Sequence, residues 1–100
     1  MRAVVVHCRH RDVDLHQLLR EERKAAGVSR HAAAFAGHIE VDALEAIENG
    51  TEVPTLTTTN NLLYHYAKWL THSPKAFYAY RTGIIYPAAV ALRSSTVEAA

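Results

Sequence analysis

The feature that most constrains this chain is the rhythm of its helix-breaking residues. Gly27, Gly37-His38, Asn49-Gly50 and Pro54 interrupt the sequence at short intervals, with apolar residues at helical spacing between them. Glycine and asparagine tolerate the left-handed backbone that closes a helix, and proline cannot continue one. The segments between breaks hold only two or three helical turns, so the reading is a set of short helices packed around a shared core.

The first helix opens at Asp12 or Asp14, whose short carboxylates can accept the free N–H groups of a first turn. Leu15, Leu18 and Leu19 form its buried stripe, Ala25 and Ala26 continue it, and Gly27 stops it. Ser29 caps a second helix with the body Arg30-His31-Ala32-Ala33-Ala34-Phe35-Ala36. A third runs from Val41 to Glu48, with Leu44 and Ile47 on one face. Thr55 caps a fourth, whose inward residues are Leu56, Leu62, Leu63, Tyr66, Trp69 and Leu70. Ser73-Pro74 opens a fifth that reaches Arg81 and ends at Gly83. Residues 3–8 and Ile84-Ile85-Tyr86 are β-prone and read as short terminal strands. Arg9-His10-Arg11 reads as a basic connection, Pro87 to Ser94 as a last helical turn or two, and Ser95–Ala100 as a mobile tail.

At 100 residues the chain suits one domain with one core. It has no apolar run near the roughly 20 residues of a membrane span, and the stretch after Met1 is too short for a signal-peptide core. Cys8 is the sole cysteine, which points to a reducing, cytoplasmic setting without disulfides. Net charge is only +1, but it is unevenly placed. Basic residues gather early (Arg2, Arg9, Arg11, Arg20, Arg23, Lys24, Arg30). Glu40, Asp42, Glu45, Glu48 and Glu52 follow with no Lys or Arg among them.

Gly27, Ser29, Ala33-Ala34, Ile39, Leu44, Ile47, Glu48-Asn49-Gly50 and Pro54 together resemble the phage Cro/CI-repressor (XRE) type of helix-turn-helix. In that family a glycine and a serine precede the second helix, and alanine sits at its centre. An isoleucine follows the turn, and a leucine and an isoleucine anchor the third helix. The resemblance spans Leu15 to Leu70 and implies an all-α, five-helix, lambda-repressor-like domain. The expected division is residues 1–11 as strand and basic arm, 12–82 as the helix-turn-helix domain, and 83–100 as a C-terminal extension. One departure lies in the turn: the usual glycine position is His38, and Gly37 stands one place earlier.

The resemblance also implies sequence-specific binding of double-stranded DNA by a regulator, with the third helix in the major groove. The candidate contacts are Glu40, Val41, Asp42, Glu45 and Asn49 on that helix, Arg30 on a phosphate, and Arg9 and Arg11 along a groove. The chemistry runs against the usual pattern. Carboxylates only accept hydrogen bonds; their good base partner is the cytosine amino group, and they repel phosphates. The alternative is a protein-interaction module on the same fold, such as an inhibitor of a host factor, an antitoxin-like partner or a DNA mimic, which uses the acidic third helix as its binding face.

His7, Cys8, His10 and His16 match no zinc spacing, and His65 and His72 share a helical face without further ligands, so no metal or other cofactor is expected. No phosphate loop or nucleophile–base arrangement is present, so no enzyme is expected. Tyr64, Tyr66, Trp69, Phe77, Tyr78, Tyr80 and Tyr86 crowd the last third of the chain. Tyr66, Trp69 and Phe77 are assigned to the core. Tyr78 and Tyr80 cannot both face inward on one helix, which leaves an aromatic surface suited to a homodimer.

Overall fold

A computed structural model describes residues 3–99, with side chains as far as residue 95; Met1, Arg2 and Ala100, from the expected arm and tail, lie outside the described residues. The order of elements is β1 (Val5–Cys8), β2 (Arg11–Asp14), α1 (Leu15–Ala25), α2 (Arg30–Ala36), α3 (Val41–Glu48), α4 (Leu56–Leu70), α5 (Pro74–Tyr80), a π turn (Arg81–Ile85) and α6 (Tyr86–Ala99). The five expected helices are present, and a sixth extends them.

Three successive helices end in the same way. The residue after the cap takes a left-handed backbone, and the next N–H reaches back to the final turn. Gly27 (φ 71°), His38 (φ 57°) and Gly50 (φ 81°) hold that place after α1, α2 and α3. Val28, Ile39 and Thr51 then donate to the carbonyls of Arg23, Ala34 and Ala46 at 3.0 to 3.3 Å. Ser29, Thr55 and Ser73 cap α2, α4 and α5, accepting from Ala32, Thr58 and Ala76. The expected carboxylate cap of α1 is absent: Asp14 holds the capping position, but its side chain makes no capping bond. Instead Leu15 N–H donates to the Val4 carbonyl at 2.7 Å, so the preceding hairpin satisfies that end of the helix.

One core cluster runs from Val4 to Leu92. Leu18 and Leu19 of α1, Leu44 of α3, and Leu62, Leu63 and Tyr66 of α4 are completely enclosed. Helix α4 touches α1, α2 and α6, which makes it the central strut. A Cβ at Gly37 would stand 2.9 Å from Leu62 Cδ2, so this glycine is the gap into which α4 packs. The neighbouring positions should therefore respond with opposite signs. Gly37→Ala crowds an enclosed leucine and should cost about 1–3 kcal/mol. His38→Gly relieves a left-handed non-glycine backbone and should gain up to about 1 kcal/mol. Thermal unfolding of both variants checks the pair; equal and opposite-to-expected shifts would place the strain elsewhere.

The N-terminal basic arm is replaced by a β-hairpin. Val5–Cys8 pairs antiparallel with Arg11–Asp14, and Arg9 and His10 form the two-residue turn with φ of 50° and 63°. Arg11 is thus a strand residue. Val4, Val6, Cys8 and Val13 face the core.

The C-terminal strand expected at Ile84–Tyr86 is helical, and Gly83 does not end α5. Ile84, Ile85, Ala88, Ala89 and Leu92 are all buried, a spacing that puts one helical stripe against the core. Pro87 lacks the N–H of a regular helix, and its ring crowds the carbonyl four residues back. The π turn just before it, with Tyr86 N–H donating to the Arg81 carbonyl, loosens the ladder enough for the helix to pass. Helix α6 continues to Ala99, so the segment from Ser95 is helical that far.

The aromatic residues divide between core and surface. Tyr66 and Tyr80 are buried, Phe77 is half-buried, and Tyr78 and Trp69 are exposed. Trp69 therefore leaves the core set expected from the sequence, while Tyr80 joins it. Burial pushes the phenols of Tyr66 and Tyr80 far above their ordinary range; the charges of Glu48 and Glu22 respectively add to it. Both phenols are neutral in folded and unfolded chains below pH about 10, where their contribution to stability is complete. Above that pH the unfolded chain loses protons that the folded chain keeps, so stability falls. An absorbance titration should show Tyr66 and Tyr80 ionising only with alkaline unfolding. Ionisation of Tyr66 and Tyr80 while the fold persists would contradict the placement.

Candidate nucleic-acid interface

The presented surface is assembled from the start of α2, the turn after it and the outer face of α3. Ser29 fixes where α2 begins, so Arg30 is its first residue. Ala33 and Ala34 are buried where α2 meets its neighbours, and their small side chains permit a close crossing. Helix α3 is held from behind by Leu44 and Ile47, both buried. Its Glu40 cap residue, Asp42, Glu45 and Asn49 are exposed. Val41, expected to face outward, is half-buried and packs against the core, so its side chain braces the helix. Ala46 is likewise half-buried.

Glu48 governs the geometry of this surface from below. It lies one turn after Leu44 on the inward stripe and is 1% exposed. A carboxylate there requires cations. Arg23 of α1 supplies two bonds, Nε at 2.6 Å and Nη2 at 3.1 Å, and its Nη1 donates to the Val28 carbonyl at 2.9 Å. Arg30 Nε adds a third bond to the carboxylate at 3.2 Å. One buried anion thus ties the end of α1, the loop after it, the first residue of α2 and the last residue of α3. Arg23 escaped the sequence reading because it lies 25 positions from its partner. The available signal was the position of Glu48 on the Leu44–Ile47 face.

Arg30 is partly engaged by Glu48, yet its side chain remains 38% exposed, and its terminal nitrogens make no bond among the described residues. The other two expected cations are elsewhere. Arg9, at the hairpin turn, grips the buried carboxylate of Glu22 at 3.2 and 3.3 Å. Arg11 pairs with Glu21 of α1. Both guanidiniums are thus tied to carboxylates of α1. No ion pair involves Glu40, Asp42 or Glu45 among the described residues. Phe35, on the outer side of α2, is 86% exposed. The face is therefore acidic, with one oriented arginine and one bare phenyl ring.

Among the described residues no group of three His, Cys, Asp or Glu side chains is placed to hold a metal ion, and no helix is long and apolar enough to cross a membrane.

A short second helix, a tight turn and an exposed third helix braced by its inner face define a helix-turn-helix. The sequence model of the helix-turn-helix domain family matches residues 18–77, and the chain belongs to that family. At a coarse level this is the architecture of DNA-binding regulators. No curated protein and no solved structure matches the chain.

Proposed function

We propose that this chain is a sequence-specific, non-catalytic DNA-binding regulator of the phage Cro/CI-repressor type, acting in the cytoplasm and reading the major groove with α3. The observation that supports this most is the pinning of α3 by Leu44 and Ile47 while Glu40, Asp42, Glu45 and Asn49 stand clear. Asn49 offers both donor and acceptor to a base edge, and the carboxylates suit cytosine amino groups. Arg30, held by Glu48, offers its terminal nitrogens to a phosphate. On this reading residues 12–82 form the DNA-reading unit. The hairpin and α6 flank it, and Arg9 and Arg11 serve the fold before they serve DNA.

The test is retardation of random and selected duplexes at low and higher salt. Binding should weaken steeply as salt rises. Arg30→Ala should weaken it on every sequence and lower the salt slope by about one charge. Unchanged affinity on that substitution would place the phosphate contact elsewhere.

One observation favours a second reading, in which the face docks a basic protein partner. Glu40, Asp42 and Glu45 have no cation partner among the described residues, and the exposed Phe35 on neighbouring α2 offers an apolar anchor. Glu45→Lys separates the readings: it strengthens DNA binding under the first and abolishes partner binding under the second.

A further inference from the structure

We infer that the outer face of α5 and α6 binds single-stranded nucleic acid, with Arg81 on the sugar-phosphate backbone and Tyr78 and Tyr86 against the bases. The π turn builds this face. Residues five apart on a regular α-helix differ by about 140° around the axis and do not meet. Here Tyr86 N–H donates to the Arg81 carbonyl, and the wider turn brings position 86 back over position 81. The Arg81 guanidinium consequently stands 5.6 Å from the ring centroids of both Tyr78 and Tyr86. Both distances lie within the range of cation–π attraction, so the arginine is oriented before any partner arrives.

The donors of that arginine are unfilled. Arg81 Nε is buried and has no hydrogen-bond partner among the described residues, and no carboxylate there pairs with the guanidinium. The surrounding sequence carries one sign of charge. Positions 53–97 contain Lys68, Lys75, Arg81 and Arg93 and no Asp or Glu. Lys75 stands three residues before Tyr78 and Arg93 seven after Tyr86, spacings that keep to one helical face, and both are exposed. A groove of about 610 Å³ between α6 and β1 opens beside Tyr86, with Val5 and Val90 among its apolar walls, and has room for a splayed base. On its β1 wall His7 holds the Asp12 carboxylate at 2.7 Å.

The matching partner is a polyanion with free planar groups. Tyr78 is 60% exposed and Tyr86 47%, so both rings offer surface for stacking. A double helix keeps the faces of its bases in its own stack, whereas a single strand can lay them on aromatic side chains while its phosphates meet cations. An acidic polypeptide would answer the charge and leave the rings without flat partners. The elements that carry this face pack on α4 and β1, whereas α3 packs on α1 and α2. Single-strand binding here therefore stands or falls apart from duplex reading by α3.

Anisotropy of labelled oligothymidylate and oligouridylate, mixed with the full chain at low salt, tests this. At least one should bind, and their ratio reports whether the 2′-hydroxyl contributes. Tyr78→Ala and Tyr86→Ala should each weaken binding on the order of tenfold, while Tyr86→Phe, which keeps the ring, should bind as the wild type does. Arg81→Gln should weaken binding and lower the salt slope by about 0.7. Retardation of a duplex by the two alanine variants should not change. If a variant fails to fold, an NMR titration of the wild type with oligothymidylate decides: the amides of Tyr78, Arg81 and Tyr86 should move together. Failure of both oligonucleotides to bind would overturn the assignment, as would affinity indifferent to loss of the rings or shifts centred elsewhere. Displacement by polyglutamate as effective as by unlabelled oligothymidylate would also overturn it, because charge alone would then account for the surface.

Discussion

Glu48→Ala is expected to destabilise the protein by about 3–5 kcal/mol, the cost of leaving a buried charge without its partner. Arg23 is almost fully enclosed, and two of its three hydrogen-bonding nitrogens reach Glu48. Removing the carboxylate strands that guanidinium in the core beside the Val28 carbonyl. A domain of this size has a total stability of about 5–15 kcal/mol, so the loss should be visible as a large drop in the unfolding midpoint. The double replacement Arg23→Met with Glu48→Leu should recover most of it, since apolar pairs of similar volume often match or exceed a buried ion pair. Chemical denaturation of the three proteins makes the comparison. A Glu48→Ala variant within about 1 kcal/mol of wild type would mean that the network is not held in solution as drawn.

The largest expected effect on binding comes from neutralising the outer face of α3. Glu40→Gln, Asp42→Gln and Glu45→Gln together replace three exposed carboxylates with amides that both donate and accept. Each charge near a phosphate costs about 1 kcal/mol in a water-like dielectric. The triple variant should therefore bind random duplex on the order of 100-fold more tightly, at tenfold per 1.4 kcal/mol. The side chains lie clear of the core, so stability should hardly change. Fluorescence anisotropy at fixed low salt gives the answer. An affinity that stays level or falls would show that these carboxylates do not approach the DNA.

The helix-turn-helix core was legible because its signals are local. Breakers, caps and apolar spacing each act within a few residues, and Ser29, Thr55, Ser73, Gly27, Gly50, Leu44 and Ile47 all act as they read. Features that depend on distant partners were not legible. The hairpin turn is Arg-His where glycine or asparagine usually marks such a turn, so Arg11–Asp14 carried no strand signal. Gly83 read as a stop and Pro87 as the start of a separate helical turn, yet the π turn carries one helix past both, and the burial of Ile84, Ile85 and Ala88 outweighs local preference. At the candidate site, the exposure of Glu40, Asp42, Glu45 and Asn49 followed from helical phase. The withdrawal of Arg9 and Arg11 onto Glu22 and Glu21 did not, because it requires the hairpin to fold back over α1.

The most direct measurement is an NMR titration of the folded protein with a short duplex at low salt. Amide shifts should move first and furthest at Arg30, Glu40, Asp42, Glu45 and Asn49, and return as salt is added. Shifts centred on another surface, or none while the fold is intact, would show that α3 is not the element that meets DNA.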